Sequence, residues 1–146
     1  MIAQTIQLAL APVFVLVAIG NIMNLLSSRL GRVVDRSRAL QGRHGETEGM
    51  AHDEVVREIR LIDRRINLIG RALRLLVTSG LAVGLTVALL FLEELARVDL
   101  QRIAAGTFLL AVGLMMWALV LFLRETQVSA QQLRIPRTFL ELDREI

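Results

Sequence analysis

The chain has 146 residues, of which 54% are hydrophobic and only 4% are aromatic, and its mean hydropathy is +0.56. This composition is too apolar for an ordinary soluble domain and is typical of membrane helices. The net charge is +3, all 17 basic residues are Arg, and the absence of Cys excludes disulfides, thiol chemistry and thiolate metal sites.

The first apolar segment covers residues 6–26 and predicts a membrane span. No charged side chain occurs in residues 1–28, and the first arginines follow the apolar segment, at Arg29 and Arg32. A secretory signal peptide has the opposite order, with positive charge before its apolar run. The charge order therefore predicts a retained span whose N-terminus lies outside the cell.

Three amide side chains, Gln7, Asn21 and Asn24, interrupt this apolar span. Amides in hydrocarbon need hydrogen-bond partners. If several copies of the chain met along this side of the helix, the amides would line a water-filled path. The alternative is a hydrogen bond that packs this helix against another, with Thr78 or Ser79 as the partner.

Residues 27–74 are predicted to form an antiparallel helical hairpin in the cytoplasm. Apolar residues recur on both arms in alternating steps of four and three, which is the 3.5-residue period of a coiled-coil seam. The seam positions are Leu26, Leu30, Val33, Ser37 and Leu40 on the first arm and Val55, Ile59, Ile62, Ile66, Ile69, Leu73 and Leu76 on the second. A glycine-rich stretch over residues 42–49 predicts the loop between the arms.

Two histidines, His44 and His52, lie around this loop together with four carboxylates. Their spacing matches no closed metal-site motif, and the loop is rich in glycine. We therefore interpret the region as the solvated tip of the hairpin and predict no metal and no other cofactor.

Three arginines, Arg29, Arg32 and Arg36, share one helical face directly after the first span. Such a cluster is typical of a binding site for anionic lipid headgroups or of a charged ring at a pore mouth. The simpler interpretation is the ordinary excess of positive charge on the cytoplasmic side, with ion pairs to Glu58 and Asp63 on the opposite arm.

The second and third spans are predicted at residues 75–92 and 103–123. In the second span, Gly80, Gly84 and Ala88 recur every four residues. Small residues at this spacing let another helix approach closely, so the three positions are predicted to be a helix-packing surface.

The placement of the arginines predicts the orientation in the membrane. Residues 27–74 hold 11 of the 17 arginines, and residues 124–146 hold four. Because positively charged loops stay in the cytoplasm, the hairpin and the C-terminal tail are predicted inside. The turn after the second span, with Glu93, Glu94 and Asp99, is then outside, and we interpret it as a solvated loop.

Three stretches of the chain carry a resemblance to known sequences. They are NIMNLLSSRLGRVVDRSRAL over residues 21–40, RLIDRRINLI over residues 60–69 and LFLRE over residues 121–125. In these stretches the chain resembles a family of small bacterial membrane proteins, the domain of unknown function 2721 family. The resemblance covers most of the chain up to Glu125. It implies a bacterial membrane protein with three helices and brings no activity and no functional residue with it.

The sequence thus predicts an all-α membrane protein with three transmembrane helices, the first two extended into the cytoplasmic hairpin. A cytoplasmic tail ends in an amphipathic segment over residues 136–146. Apolar residues off the seam, at Val34, Leu61 and Leu68, indicate contacts between copies of the chain, so we expect a homo-oligomer in the bacterial inner membrane.

Two functions are consistent with these features. The first is an oligomeric pore or ion channel lined by the first span. The second is a non-conducting scaffold whose hairpin docks a partner protein or an anionic lipid. No phosphate loop, nucleophile with a base, or dinucleotide motif is present, so we predict neither an enzyme nor a nucleic-acid partner.

Overall fold

The computed structural model describes residues 1–132, and this part of the chain forms three helices. Helix α1 spans Ile2–His44, α2 spans Met50–Ala96 and α3 spans Gln101–Gln132. Each of the three contains a stretch long and apolar enough to cross a membrane, in agreement with the prediction of three spans. At helical rise α1 and α2 are about 65 to 70 Å long, roughly twice the thickness of a bilayer's hydrocarbon core.

The turn between α1 and α2 is shorter than predicted. Helix α1 continues through Gly42, so the connection covers residues 45–49 instead of 42–49. Arg43 and His44 lie in the last turn of α1, where positive charge is favourable at the C-terminal end of the helix dipole. The Thr47 hydroxyl donates a hydrogen bond to the Arg43 carbonyl at 3.1 Å. Gly49 precedes α2 with φ of +65°, a conformation that glycine adopts readily.

Helix α3 extends beyond the third predicted span. That span was predicted over residues 103–123, and the helix continues to Gln132. The reason is tertiary: Glu125 and Val128 are both buried against the other helices. The amphipathic segment predicted over residues 136–146 lies outside the described residues.

Helix α2 lies between α1 and α3, and α1 and α3 contact each other at few positions. Neighbouring helices run antiparallel. Arg36 of α1 pairs with Glu58 near the start of α2, and the amine of Met1 pairs with Glu94 near its end.

Buried side chains at seven-residue intervals hold the three helices together. They are Ile19, Leu26, Val33 and Leu40 in α1, Val55, Ile62, Ile69, Leu76 and Val83 in α2, and Ala104, Ala111 and Ala118 in α3. The seam positions predicted for α1 and α2 are buried or half-buried. A constant seven-residue interval keeps each contact line straight along its neighbour over many turns.

A second row of side chains on α2, which is more polar than the first, faces α3. The Ser79 hydroxyl donates a hydrogen bond of 2.6 Å to the Ala111 carbonyl, and the hydroxyls of Thr86 and Thr107 lie 2.8 Å apart. These contacts fall within the apolar spans, where a hydroxyl without a partner is costly. Small side chains on both helices therefore allow close approach and direct hydrogen bonding.

Candidate functional site

A buried carboxylate joins all three helices just beyond the first apolar span. Glu125 of α3 is fully buried. One of its oxygens accepts a hydrogen bond from Arg29 Nη1 of α1 at 2.6 Å, and the other accepts from Arg65 Nε of α2 at 3.0 Å. The Arg29 guanidinium carbon also lies 5.1 Å from the centroid of the Phe122 ring, within cation–π range. We name Arg29, Arg65 and Glu125 the charged triad.

The triad forms because each helix carries a seven-residue repeat that is apolar or small in the span and charged beyond it. The repeats are Val15, Ile22, Arg29 and Arg36 in α1, Glu58, Arg65, Ala72, Ser79 and Thr86 in α2, and Ala104, Ala111, Ala118 and Glu125 in α3. Antiparallel helices with the same repeat keep facing positions in register. The first charged positions of the three repeats therefore meet at one level.

An open cleft of about 290 Å³ lies beside the triad. It is lined by Arg29, Arg32, Val33, Arg36, Arg65 and Ser129, and we name it the arginine cleft. All three helices contribute to its wall, so the cleft exists only in the folded bundle.

The arginine cleft has an excess of positive charge. Glu125 is shared by two of its arginines, and Glu58 Oε1 lies 2.7 Å from Arg36 Nη2. Arg32 is exposed and forms no ion pair or hydrogen bond within residues 1–132. The charge of Arg32 is therefore not neutralised by a carboxylate of the described residues. The remaining positive charge and the planar donor groups of arginine suit a phosphate or a carboxylate ligand.

The three arginines that the sequence singled out all line this cleft. Of the two acids expected to pair with them, Glu58 does so, through Arg36. Asp63 forms no salt bridge within the described range and accepts a hydrogen bond from Asn67 at 3.2 Å instead.

Arg65, Ser129 and Glu125 were not predicted as site residues. A pattern in the sequence could have identified Glu125. Alanines recur every seven residues at Ala104, Ala111 and Ala118, and Glu125 is at the next position of this repeat. A carboxylate at a buried position of a contact line requires a cation from a facing helix. Arg65 has the corresponding position in α2, seven residues before the buried Ala72.

The amides predicted to line a pore or pack a helix are on the outer surface of α1. Gln7, Asn21 and Asn24 are exposed, and none of them forms a side-chain hydrogen bond within residues 1–132. The proposed intrachain partners, Thr78 and Ser79, bond to backbone carbonyls instead. Within one described chain, the amides therefore do not pack α1 against α2.

The three small residues of α2 have different surroundings. A Cβ on Gly80 would lie 3.6 Å from a Leu16 methyl group of α1, which is ordinary van der Waals contact. Gly84 and Ala88 are exposed, and a Cβ on Gly84 would meet no atom within 4 Å. Gly80 thus lies at the contact with α1, whereas the other two lie on the outside of the bundle.

At the opposite end of the bundle, the acidic residues lie at the turn between α2 and α3, which covers residues 97–100. Glu94 pairs with the amine of Met1 at 3.0 Å, and Asp99 accepts a hydrogen bond from the Gln101 backbone amide. Oε2 of Glu93 is buried without a hydrogen-bond partner within residues 1–132. Glu94 and Asp99 are thus both engaged in contacts within the chain.

Residues 1–132 contain no group of three histidine, cysteine or acidic side chains arranged to hold a metal ion. The rings of His44 and His52 are nevertheless adjacent, with their centroids 4.5 Å apart and their planes at 57°.

Comparison with known proteins gives a family but no function. No curated protein and no solved structure matches the chain. A family model described as "Protein of unknown function (DUF2721)" matches residues 9–135, which include the charged triad and all residues of the arginine cleft. The chain therefore belongs to the DUF2721 family of proteins of unknown function.

Proposed function

We propose that this chain is a multi-pass protein of the bacterial inner membrane that binds the phosphate of an anionic lipid headgroup in the arginine cleft. The observation that carries the proposal is the cleft itself: four arginines from two helices surround one cavity, and Arg32 has no partner within residues 1–132. The phosphodiester of a lipid headgroup presents two non-bridging oxygens, and a guanidinium group can donate a hydrogen bond to each of them.

The position of the cleft relative to the predicted end of the first span supports a lipid as the source of that phosphate. Arg29 follows the predicted end of the first span at Leu26 by three residues, which is about 5 Å along the helix. The headgroup layer on each side of a bilayer is roughly 5 to 8 Å thick. The inner part of the cleft is thus at headgroup depth when α1 crosses the membrane over residues 6–26.

The orientation that we propose places the cleft in the cytoplasm. Residues 27–74 carry 11 of the 17 arginines, and an excess of arginine in a short connection favours retention on the cytoplasmic side. The N-terminus and the turn over residues 97–100 are then outside. Anionic lipids give the cytoplasmic leaflet a negative surface, which attracts clustered arginines.

Replacing Arg32 by glutamine is expected to weaken binding of phosphatidylglycerol by about tenfold or more, because one charge-assisted contact to the phosphate is lost. Folding should be unaffected, since Arg32 is exposed and has no partner within the described residues. Binding is measured by titrating fluorescent phosphatidylglycerol and phosphatidylcholine into the full chain in neutral detergent. Arg38→Gln is the matched control: Arg38 is an exposed arginine of α1 that does not line the cleft.

Equal binding of the two lipids by the unsubstituted chain, or equal losses in the Arg32 and Arg38 variants, would contradict the proposal. The hairpin would then be better explained as a docking surface for a partner protein. Glycerol phosphate added as a competitor identifies the source of the ligand. Displacement of the lipid only at a large excess is expected, because the soluble ester lacks the acyl chains that anchor the lipid.

A second candidate function is an oligomeric pore lined by α1. The specific observation in its favour is the exposure of Gln7, Asn21 and Asn24 on one membrane-length helix, without hydrogen bonds within residues 1–132. An amide that faces hydrocarbon alone is costly. Copies of the chain arranged around an axis would turn these amides towards each other or towards water, and Gly84 and Ala88 offer an outer surface for close helix contact.

For this candidate, the purified oligomer in planar bilayers is expected to conduct ions, and Asn21→Leu is expected to reduce the conductance by removing a polar group from the lining. Gln127→Leu serves as the control, since Gln127 is an exposed amide on α3. An intact oligomer with no current above that of empty bilayers would rule out the pore and leave lipid binding unaffected.

A further inference from the structure

Two histidines from different helices meet at the turn between α1 and α2. His44 is the last residue of α1, and His52 lies in the first turn of α2. Their ring centroids are 4.5 Å apart, although seven residues separate them in the chain. Both helix ends are held by the buried contact line that includes Leu40 and Val55, so the two rings are brought together by the fold of the hairpin.

A second observation concerns one ring nitrogen of His52. Nδ1 of His52 is buried and has no hydrogen-bond partner within residues 1–132. A buried ring nitrogen without a partner loses its hydration and gains nothing in return. The nearest ring is another imidazole, which offers a second nitrogen lone pair. A cation that accepts electron pairs from both rings would satisfy this arrangement.

The charge of the surroundings also favours a cation. Residues 43–54 contain four carboxylates and one arginine, apart from the histidines. The negative surplus raises the local concentration of divalent ions. Glu46 and Glu48 lie in the connection itself, yet no third side chain within residues 1–132 is placed to complete a three-ligand set. Water would therefore fill the remaining coordination positions.

We propose that His44 and His52 form a two-histidine binding site for a divalent metal ion such as Zn²⁺. Zinc binds imidazole nitrogen at 2.0–2.1 Å, so two imidazole nitrogens on one tetrahedral ion are about 3 to 3.5 Å apart. The ring centroids of His44 and His52 are 4.5 Å apart, so the two imidazoles are close enough for one ion to contact both. Imidazole suits zinc, copper and nickel, whereas calcium and magnesium prefer oxygen ligands. The bound ion would bridge α1 and α2 at the tip of the hairpin.

The chain is well suited to a clean test because it has only these two histidines and no cysteine. The full chain, purified without a histidine tag, is titrated with Zn²⁺ by calorimetry in detergent. His44→Ala and His52→Ala are each expected to weaken zinc binding by about tenfold or more, since each removes one of two protein ligands. The affinity of the unsubstituted chain should fall as the pH is lowered, because protons compete for the imidazole nitrogens.

Two further variants separate ligation from a general effect on the hairpin. Glu46→Gln combined with Glu48→Gln should weaken zinc binding much less than either histidine variant, because it lowers the negative charge around the site but removes no ligand. A loss equal to that of the histidine variants would show that carboxylates bind the zinc and overturn the proposal. His52→Cys should retain zinc binding, because a thiolate is also a zinc ligand. Undiminished zinc binding in both alanine variants would likewise overturn it. Lipid binding at the arginine cleft is independent of all these outcomes.

Discussion

Replacing Glu125 by alanine is expected to destabilise the folded chain by about 3–5 kcal/mol, the range typical for a buried ion pair that loses one partner. Glu125 is fully buried, and the side chains of Arg65 and Arg29 are only 17% and 27% exposed. Without the carboxylate, the guanidinium groups of Arg29 and Arg65 stay close together and lose the anion that they share. We expect a lower midpoint temperature of thermal unfolding in detergent, monitored by circular dichroism.

Glu58→Ala is the matched control for this variant. Glu58 also forms an ion pair with an arginine of α1, but its side chain is 37% exposed and that of Arg36 is 51% exposed. An exposed pair of this kind contributes about 0–1 kcal/mol, since water and salt screen it. Equal destabilisation by the Glu58 and Glu125 variants would show that the burial of Glu125 does not increase the contribution of its ion pairs to stability.

A third variant separates the contribution of the triad to stability from its contribution to lipid binding. Replacing the whole triad by apolar residues of similar size, as Arg29→Met, Arg65→Met and Glu125→Leu, removes all three charges of the triad at once. Such replacements are often neutral or stabilising. The triple variant should therefore be more stable than Glu125→Ala and yet bind phosphatidylglycerol weakly, because two arginines of the cleft are gone. Undiminished lipid binding by a stable triple variant would count against the cleft as the lipid site.

The second large effect is expected at the contact between α2 and α3. Ala111 is completely buried, and its carbonyl accepts the 2.6 Å hydrogen bond from Ser79. Leucine at this position would push the two helices apart and stretch that bond. We expect Ala111→Leu to lower the stability by about 1–3 kcal/mol, the usual cost of overpacking a close contact. The measurement is again thermal unfolding in detergent.

The same substitution on the outside of α3 provides the comparison. Ala105 is exposed, so Ala105→Leu adds apolar surface without displacing a neighbouring helix. Its midpoint should stay close to that of the unsubstituted chain. A similar loss for both alanines would mean that α2 and α3 do not pack through the alanine repeat.

Local sequence patterns are sufficient to predict the three spans and the helical type of each element. Uninterrupted apolar stretches predict three spans, because backbone groups in lipid must be bonded within a helix. The alternating steps of four and three from Val55 to Leu76 also predicted which side of α2 is buried. These features are local: they depend on helix geometry and on the solvent around each segment, and no contact with a distant residue is needed to recognise them.

Which charged residues meet depends on how the three helices pack. Arg29, Arg65 and Glu125 are distant in the chain, and their contact depends on the rotation and relative height of three helices. Neither quantity can be obtained from the period of a single helix. For the same reason, the apolar span predicted over residues 103–123 does not by itself show that the helix continues beyond it. Glu125 is buried between two arginines, and the helix continues to Gln132.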